Sequence, residues 1–122
     1  MDEALTIRVR REQGYAIVAV AGEVDIATVT RLRERLFELA ASGRTLVVDL
    51  DQVSFIDSAG LAALVGAARR AAAHGASLQA VCARPRTRQL FRLTGLDGQV
   101  PLAHTLDGAL ESLAAAQPPP AS

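Results

Sequence analysis

The chain has 122 residues, which fits one domain, since domains of about 100–150 residues are the commonest. Half of the residues are apolar, and thirteen bases balance thirteen acids, so the net charge gives no reason to expect a nucleic acid or an acidic membrane surface as partner. The single cysteine, Cys82, excludes an internal disulfide and a cysteine-based metal cluster, and every strong base is an arginine, which excludes chemistry that needs a lysine ammonium group.

The sequence also bears on location. No apolar stretch reaches the roughly 20 residues that a membrane span needs. The start, Met1-Asp2-Glu3, is acidic, unlike the basic head of a secretory signal. We therefore predict a cytoplasmic protein without a membrane partner.

The first two predicted elements are strands. Leu5, Ile7 and Val9 alternate with polar residues, the period of a strand with one wet face. Residues 15–21 are nearly all apolar and predict a more central strand, which Gly22 is expected to end.

A helix and a buried strand follow. The helix has one apolar face, with Asp25 expected to cap its first turn and Gly43 to end it; that face consists of Val29, Leu32, Leu36 and Leu39 or Ala40. Residues 46–48 form a continuous apolar run before Asp49, which is typical of a strand covered on both faces.

Residues 52–57 are predicted to form a loop, and Ser58 to open a second helix that ends at His74 and Gly75. Gly60 and Gly66 inside it each cost about 1 kcal/mol relative to Ala, which suggests close backbone approach. The apolar face of this helix is expected to contain Leu61, Leu64, Val65, Ala68 and Ala72.

The last third of the chain predicts a strand over 78–83, a short helix from Pro85 to Gly95, a strand over 100–103 and a helix from Thr105 to Ala116. The short helix is expected to point Leu90, Phe91 and Leu93 inward. Strands that alternate with helices predict a single α/β domain over residues 1–116, with a mostly parallel mixed sheet of about five strands and about four helices. Residues 117–122, with three consecutive prolines, are predicted to be a disordered tail.

The polar residues that follow the strands form the candidate site, because ligands and partners of such sheets meet the carboxyl ends of the strands. Two interpretations of Ser58 remain open. It can be an N-cap, whose oxygen accepts a free backbone N–H, or it can be a phosphate acceptor at a helix start that stabilises negative charge. The predicted group consists of Asp25, Asp49, Asp51, Asp57 and Ser58.

Three blocks of sequence carry a resemblance to a known family. The run DLDQVSFIDSAGL at 49–61 closely resembles the signature loop of STAS-domain anti-sigma factor antagonists, which are bacterial regulators of transcription. GEVD at 22–25 is similar to the turn before the first long helix of that family, and LFRLTGL at 90–96 to its third helix. The resemblance spans roughly residues 5–113 in the right order.

The resemblance implies a binding protein with no catalytic activity, no cofactor and no metal. The unmodified form would bind an anti-sigma factor that is also a serine kinase, and so release the sigma factor. Phosphorylation of Ser58 by that kinase would end binding, and a separate serine phosphatase would restore it. The implied contact residues are Asp25, Asp57, Ser58, Ala59 and Gly60, in a protein that is monomeric when free. Ala59 stands where many relatives have Ser or Thr, which leaves Ser58 as the hydroxyl of the Asp-Ser-Ala-Gly stretch at 57–60.

Other classes of protein fit less well. A response-regulator receiver needs a lysine, which this chain lacks. A serine hydrolase needs a base, and only His74 and His104 are available, without a Gly-x-Ser-x-Gly elbow at Ser58. The arginines at 84, 86, 88 and 92 lack interleaved aromatic residues and are interpreted as an exposed helix face. The alternative that stays open lies within the family: a STAS-domain subunit of a lipid transporter, or a stress-signalling scaffold.

Overall fold

The computed structural model describes residues 4–116, which form a five-stranded mixed sheet with helices on both faces. The strands are β1 (Leu5–Arg11), β2 (Tyr15–Val24), β3 (Thr45–Ile56), β4 (Leu78–Val81) and β5 (Leu102–Ala103). The helices are α1 (Val29–Ala40), α2 (Ser58–Ala73), α3 (Pro85–Leu93) and α4 (Leu106–Ala116), with a 3-10 turn at Leu96–Gly98. The predicted fold class is confirmed; the predicted tail, 117–122, lies outside the described residues.

The strands lie in the order in which they occur in the chain. β1 and β2 form an antiparallel hairpin, and each later strand pairs in parallel with the one before it. Parallel neighbours need a crossover connection, which α1, α2 and α3 supply. The carboxyl ends of β2, β3, β4 and β5 therefore meet at one edge of the sheet.

The sheet separates two cores of unequal size. The larger is formed by strand residues such as Val18, Leu46 and Val48 and is covered by α1, α2 and α3. The smaller, on the opposite face, contains Ile17 and Val47 and is covered by α4. Val47 and Val48 point to opposite faces and are both fully buried, as the continuous apolar run predicts.

Several boundaries differ from the sequence prediction: β4 ends at Val81 and β5 begins only at Leu102, and the differences in β2 and β3 bear on the site. β2 does not end at Gly22 but continues to Val24, with Gly22 at a φ of 105° inside the strand. A Cβ at this position would lie 2.1 Å from the Ala4 carbonyl oxygen. Because glycine has no Cβ, β2 can lie this close to the backbone of Ala4. Residues 52–56, predicted as a loop, are the second half of β3 and pair with β2 over 21–24.

Helix faces agree with the prediction in part. All predicted core positions of α1 are buried. In α2, Leu61 and Leu64 are buried as predicted, but Ala72 is exposed and the buried face includes Ala63, Ala67 and Ala71. In α3, Phe91 is fully buried, whereas Leu93, predicted to point inward, is 75% exposed. Among the four helices described in residues 4–116, none combines the length and hydropathy that a membrane crossing requires.

Candidate functional site

The candidate site forms where β2 and β3 end side by side. Val24 is the partner of Ile56 in the last pair of the parallel ladder. The Asp57 N–H continues the pairing by donating to the Val24 carbonyl oxygen over 3.1 Å. The turn that begins at Asp25 and the start of α2 are therefore neighbours, as the sequence predicts.

Asp57 is the N-cap of α2. Its backbone is extended, and its Oδ1 accepts hydrogen bonds from the N–H groups of Ala59 at 3.0 Å and Gly60 at 3.1 Å. Its carbonyl oxygen also accepts the first helical hydrogen bond, from the Leu61 N–H. Asp57 thus satisfies two of the N–H groups that a helix start leaves without partners.

Ser58 is consequently the first residue of the helix and not its cap. Its side chain is exposed. Within residues 4–116, no group is hydrogen-bonded to the Ser58 hydroxyl. Because Asp57 performs the capping, the hydroxyl of Ser58 is left available to a reagent or a partner from outside.

Gly60 brings the start of α2 against the strand ends. It is buried, and a Cβ there would lie 2.6 Å from Val24 Cγ1 and 2.7 Å from Ile56 Cγ1. Such distances are shorter than real contacts allow, so a larger residue would displace the helix. The close approach inferred from the sequence at Gly60 is confirmed. Ala59, between Ser58 and Gly60, is half-buried.

Asp25 organises the neighbouring turn. Its Oδ1 accepts from the N–H groups of Ala27 at 2.9 Å and Thr28 at 3.1 Å. The Thr28 hydroxyl donates to the Glu23 carbonyl oxygen at 2.8 Å. Asp25 therefore caps a turn over 26–28 that precedes α1, whose own N-cap is Thr28. This turn leaves Ile26 79% exposed.

Asp49 and Asp51, grouped with the site in the sequence, serve a different purpose. Asp49 Oδ1 accepts from the Asp51 N–H at 3.0 Å. Asp51 Oδ1 accepts from the Ala83 N–H at 2.8 Å, and its carbonyl oxygen accepts from Arg84 Nε at 2.8 Å. The two contacts of Asp51 hold β3 against the loop between β4 and α3, while the contact of Asp49 lies within β3.

Two exposed apolar side chains near the site were not recognised from the sequence. Phe55, at the end of β3, is 52% exposed, and Leu93 is 75% exposed. Period alone could not find them, because Phe55 fell in a predicted loop and Leu93 matched the inward face of its helix. A large apolar side chain on the surface is informative where it belongs to a patch.

His74, one of the two candidate bases, lies far from Ser58. His74 is the C-cap of α2, with Nδ1 3.1 Å from the Arg70 carbonyl oxygen. It therefore lies at the opposite end of the helix from Ser58, about 24 Å away at 1.5 Å per residue. Across residues 4–116, no group of three or more His, Cys, Asp or Glu side chains is arranged to hold a metal ion.

Comparison with known proteins agrees with this geometry. Residues 6–109 match the family model of the STAS domain, and the chain belongs to that family. It is 31% identical to the anti-sigma-B factor antagonist of Bacillus subtilis, over 88% of this chain and 98% of the relative. It is 35% identical to the anti-sigma-F factor antagonist RsfB of Mycobacterium tuberculosis, over 88% of each chain. The resemblance seen in the sequence, to the anti-sigma factor antagonists, is confirmed.

Solved structures extend the comparison. The crystal structure of an anti-sigma factor antagonist from Mycobacterium paratuberculosis superposes with a TM-score of 0.83 at 33% identity, covering 90% of this chain and 94% of that one. The murine anion transporter Slc26a9 contains a similar fold, with a TM-score of 0.71 at 19% identity, but this chain covers only 18% of it. At that identity the transporter shares the fold alone.

Proposed function

We propose that the unmodified chain binds an anti-sigma factor with serine-kinase activity and thereby releases a sigma factor, and that phosphorylation of Ser58 ends this binding. The partner would contact the turn at Asp25 and the start of α2. At the start of α2 the contact would involve the N-cap Asp57 together with Ser58 and Ala59. Gly60 would act by holding the helix close to the strands.

The observation that carries the proposal is the state of Ser58. Its hydroxyl is exposed and, within residues 4–116, not engaged, while the adjacent carboxylate of Asp57 performs the capping that a helix start requires. A serine that served the fold would be expected to cap the helix itself. The hydroxyl therefore lies on a rigid element without a structural task.

The chemistry would come from the partner. Phosphorylation transfers the terminal phosphoryl group of ATP to Ser58 Oγ, and the hydroxyl proton must pass to a base. Of the two histidines of this chain, His74 caps the far end of α2, and His104 follows β5, which β4 separates from β3. We infer that the kinase supplies both the base and the ATP, and that a separate serine phosphatase hydrolyses the phosphoserine.

Charge explains why the modification would end binding. A phosphate adds about −1.5 to −2 charges, and Asp25 and Asp57 already lie at this edge. The helix start can compensate little, because Asp57 occupies the N–H groups of Ala59 and Gly60. One added charge facing a partner carboxylate ~5.5 Å away costs about 3 kcal/mol at an effective dielectric near 20. This energy corresponds to about a hundredfold loss of affinity.

The test is phosphorylation of the purified chain. It is incubated with ATP and each serine-kinase anti-sigma factor encoded by the same genome, and its intact mass is measured. We expect one phosphate on the wild type, none on Ser58→Ala, and one on Ser54→Ala. Ser54 is a matched control because it is an exposed serine on the preceding strand, where its hydroxyl donates to the Gly22 carbonyl oxygen. Equal phosphorylation of Ser58→Ala and the wild type would show that Ser58 is not the acceptor.

The role of Asp25 requires a substitution that preserves its turn. Asp25→Ala would remove the acceptor of the Ala27 and Thr28 N–H groups and so alter the fold together with the charge. Asp25→Asn keeps an oxygen acceptor and removes only the charge. If Asp25 contacts the partner through its charge, Asp25→Asn weakens binding while the melting temperature stays near that of the wild type. Unchanged affinity of Asp25→Asn would remove that charge from the proposed contact.

A further inference from the structure

A groove of about 370 Å³ lies beside the candidate site, between the last residues of β3 and the outer side of α3. Phe55 and Ile56 line it from the strand, and Arg86, Leu90 and Leu93 from the helix. Neither the sequence nor the proposed role of Ser58 accounts for it.

The groove exposes large apolar side chains to solvent, which does not stabilise an isolated domain. Phe55 and Leu93 are two of the three exposed large apolar side chains among the described residues; the third is Ile26. Phe91 on the same helix is fully buried in the larger core, to which Leu93 does not belong. Clustered apolar exposure of this kind marks an interaction site.

The groove is continuous with the start of α2. Ile56 lines the groove, and its side chain also meets the backbone of α2 at Gly60, since a Cβ on Gly60 would lie 2.7 Å from Ile56 Cγ1. Asp57 and Ser58 follow Ile56 directly. A partner large enough to cover Ser58 can therefore reach the groove without crossing another element of the fold.

The edge near Ser58 and the α3 side of the groove differ in charge. The edge near Ser58 is acidic, with Glu23, Asp25 and Asp57, whereas α3 has no acidic residue. Of its arginines, Arg88 is held by the carbonyl oxygens of Cys82 at 2.9 Å and Ala103 at 3.4 Å. Arg86 is exposed at the groove and, within the described part of the chain, has no carboxylate partner.

We propose that this groove, lined by Phe55, Leu90 and Leu93, is a second contact for the anti-sigma factor, which would insert an amphipathic segment with a carboxylate facing Arg86. This inference rests on the proposed function. Arg86 attracts a carboxylate, so the bound segment would place its apolar face in the groove and its carboxylate toward Arg86. The groove is separate from the phosphate, so it contributes to the binding of unmodified and phosphorylated chains alike.

The experiment measures affinity for a purified serine-kinase anti-sigma factor of the same genome, one that binds the wild-type chain. Leu93→Glu is expected to weaken binding at least tenfold, because it places a charge in an apolar contact. Arg86→Glu is expected to weaken it severalfold, with a loss that shrinks at high salt. The controls, Ala73→Glu and Arg11→Glu, introduce the same carboxylate at exposed positions near the opposite edge of the sheet and should change affinity less than twofold.

A second readout separates docking from the chemistry at Ser58. In a phosphorylation assay, Leu93→Glu should raise the KM for the chain and leave kcat unchanged, because the hydroxyl and its surroundings are intact. Melting temperatures of all variants establish that they fold. If Leu93→Glu proves unstable, Phe55→Ser tests the same groove from the strand side.

The outcomes distinguish the two proposals. Normal affinity of Leu93→Glu and Phe55→Ser, with weakened binding of Ser58→Asp, would overturn the groove proposal and leave the proposed function in place. If no such anti-sigma factor binds the wild-type chain, the proposed function is wrong, and the groove proposal is wrong with it.

Discussion

The two halves of β3 differ in how many neighbours they have. Residues 46–49 lie between β2 and β4, and the three residues at 46–48 are fully buried. Residues 52–56 pair with β2 alone, after a bulge between Asp49 and Gln52, and contain a second irregularity at Ser54, between Val53 and Phe55. Bulges bend a strand and redirect its side chains, and Phe55 and Ser54 are exposed as a result.

This difference indicates how one strand can serve both stability and recognition. The half that lies between two strands contributes its side chains to the core, where a partner cannot contact them. The half with one neighbour leaves Phe55 on the surface and brings Asp57 and Ser58 to the edge where β2 also ends. The candidate site thus begins where β3 loses its second partner.

The largest expected effect compares a charge in each half. Val48→Asp places an unpaired carboxylate at a fully buried position and should lower the free energy of unfolding by about 4 kcal/mol or more. Phe55→Asp, at a half-exposed position of the same strand, should change it by about 1 kcal/mol at most. Denaturant unfolding of both variants measures this; similar losses would show that the bulged half is as firmly packed as the central one.

Modification of Ser58 should affect binding and not folding. Phosphorylated chain is expected to bind the anti-sigma factor about a hundredfold more weakly, and Ser58→Asp should reproduce a part of that loss. The free energy of unfolding should stay within about 0.5 kcal/mol, because Ser58 is exposed. Ser58→Ala should bind as the wild type does, and Ser112→Asp is the matched control, because Ser112 is an exposed serine of α4, on the other face of the sheet. A phosphorylated chain that binds normally would contradict the switch.

The contact between α2 and the bulged half of β3 is tested by Gly60→Ala. The added methyl group would overlap Val24 and Ile56. Overpacking of this kind costs about 1–3 kcal/mol, of which the higher helix propensity of Ala offsets about 1 kcal/mol. Gly98→Ala is the control, since a Cβ at Gly98 meets nothing within 4 Å. Thermal unfolding measures both. Equal stability of the two variants would mean that α2 can shift from the strands without cost.

The smallest expected effect concerns the cap. Asp57→Ala removes the acceptor of the Ala59 and Gly60 N–H groups and should cost about 1 kcal/mol. Asp57→Asn keeps an acceptor and should cost less. Amide hydrogen exchange at Ala59 and Gly60 would detect the loss locally. Slow exchange in Asp57→Ala would indicate that Ser58 replaces Asp57 as the cap.

Much of the molecule was predictable from local pattern. The 3.6-residue period of α1 predicted its buried face, and the apolar run at 46–48 predicted a strand covered on both sides. The motif at 49–61 identified the family and the hydroxyl of Ser58 as the candidate acceptor. These predictions succeed because period, turn chemistry and a sequence motif are properties of neighbouring residues.

Tertiary structure alone decided how far the strands extend and what they expose. Residues 52–56 follow Asp49 and Asp51 and are predicted from the sequence as a loop, yet hydrogen bonds to β2, distant in sequence, make them a strand. Gly22 resembles a strand breaker and is instead the residue that lets β2 pass Ala4. Leu93 matches the period of an inward face, but Phe91 fills the available space and Leu93 remains outside. In each instance the outcome depends on strand pairing and packing between residues far apart in the chain, which no local pattern contains.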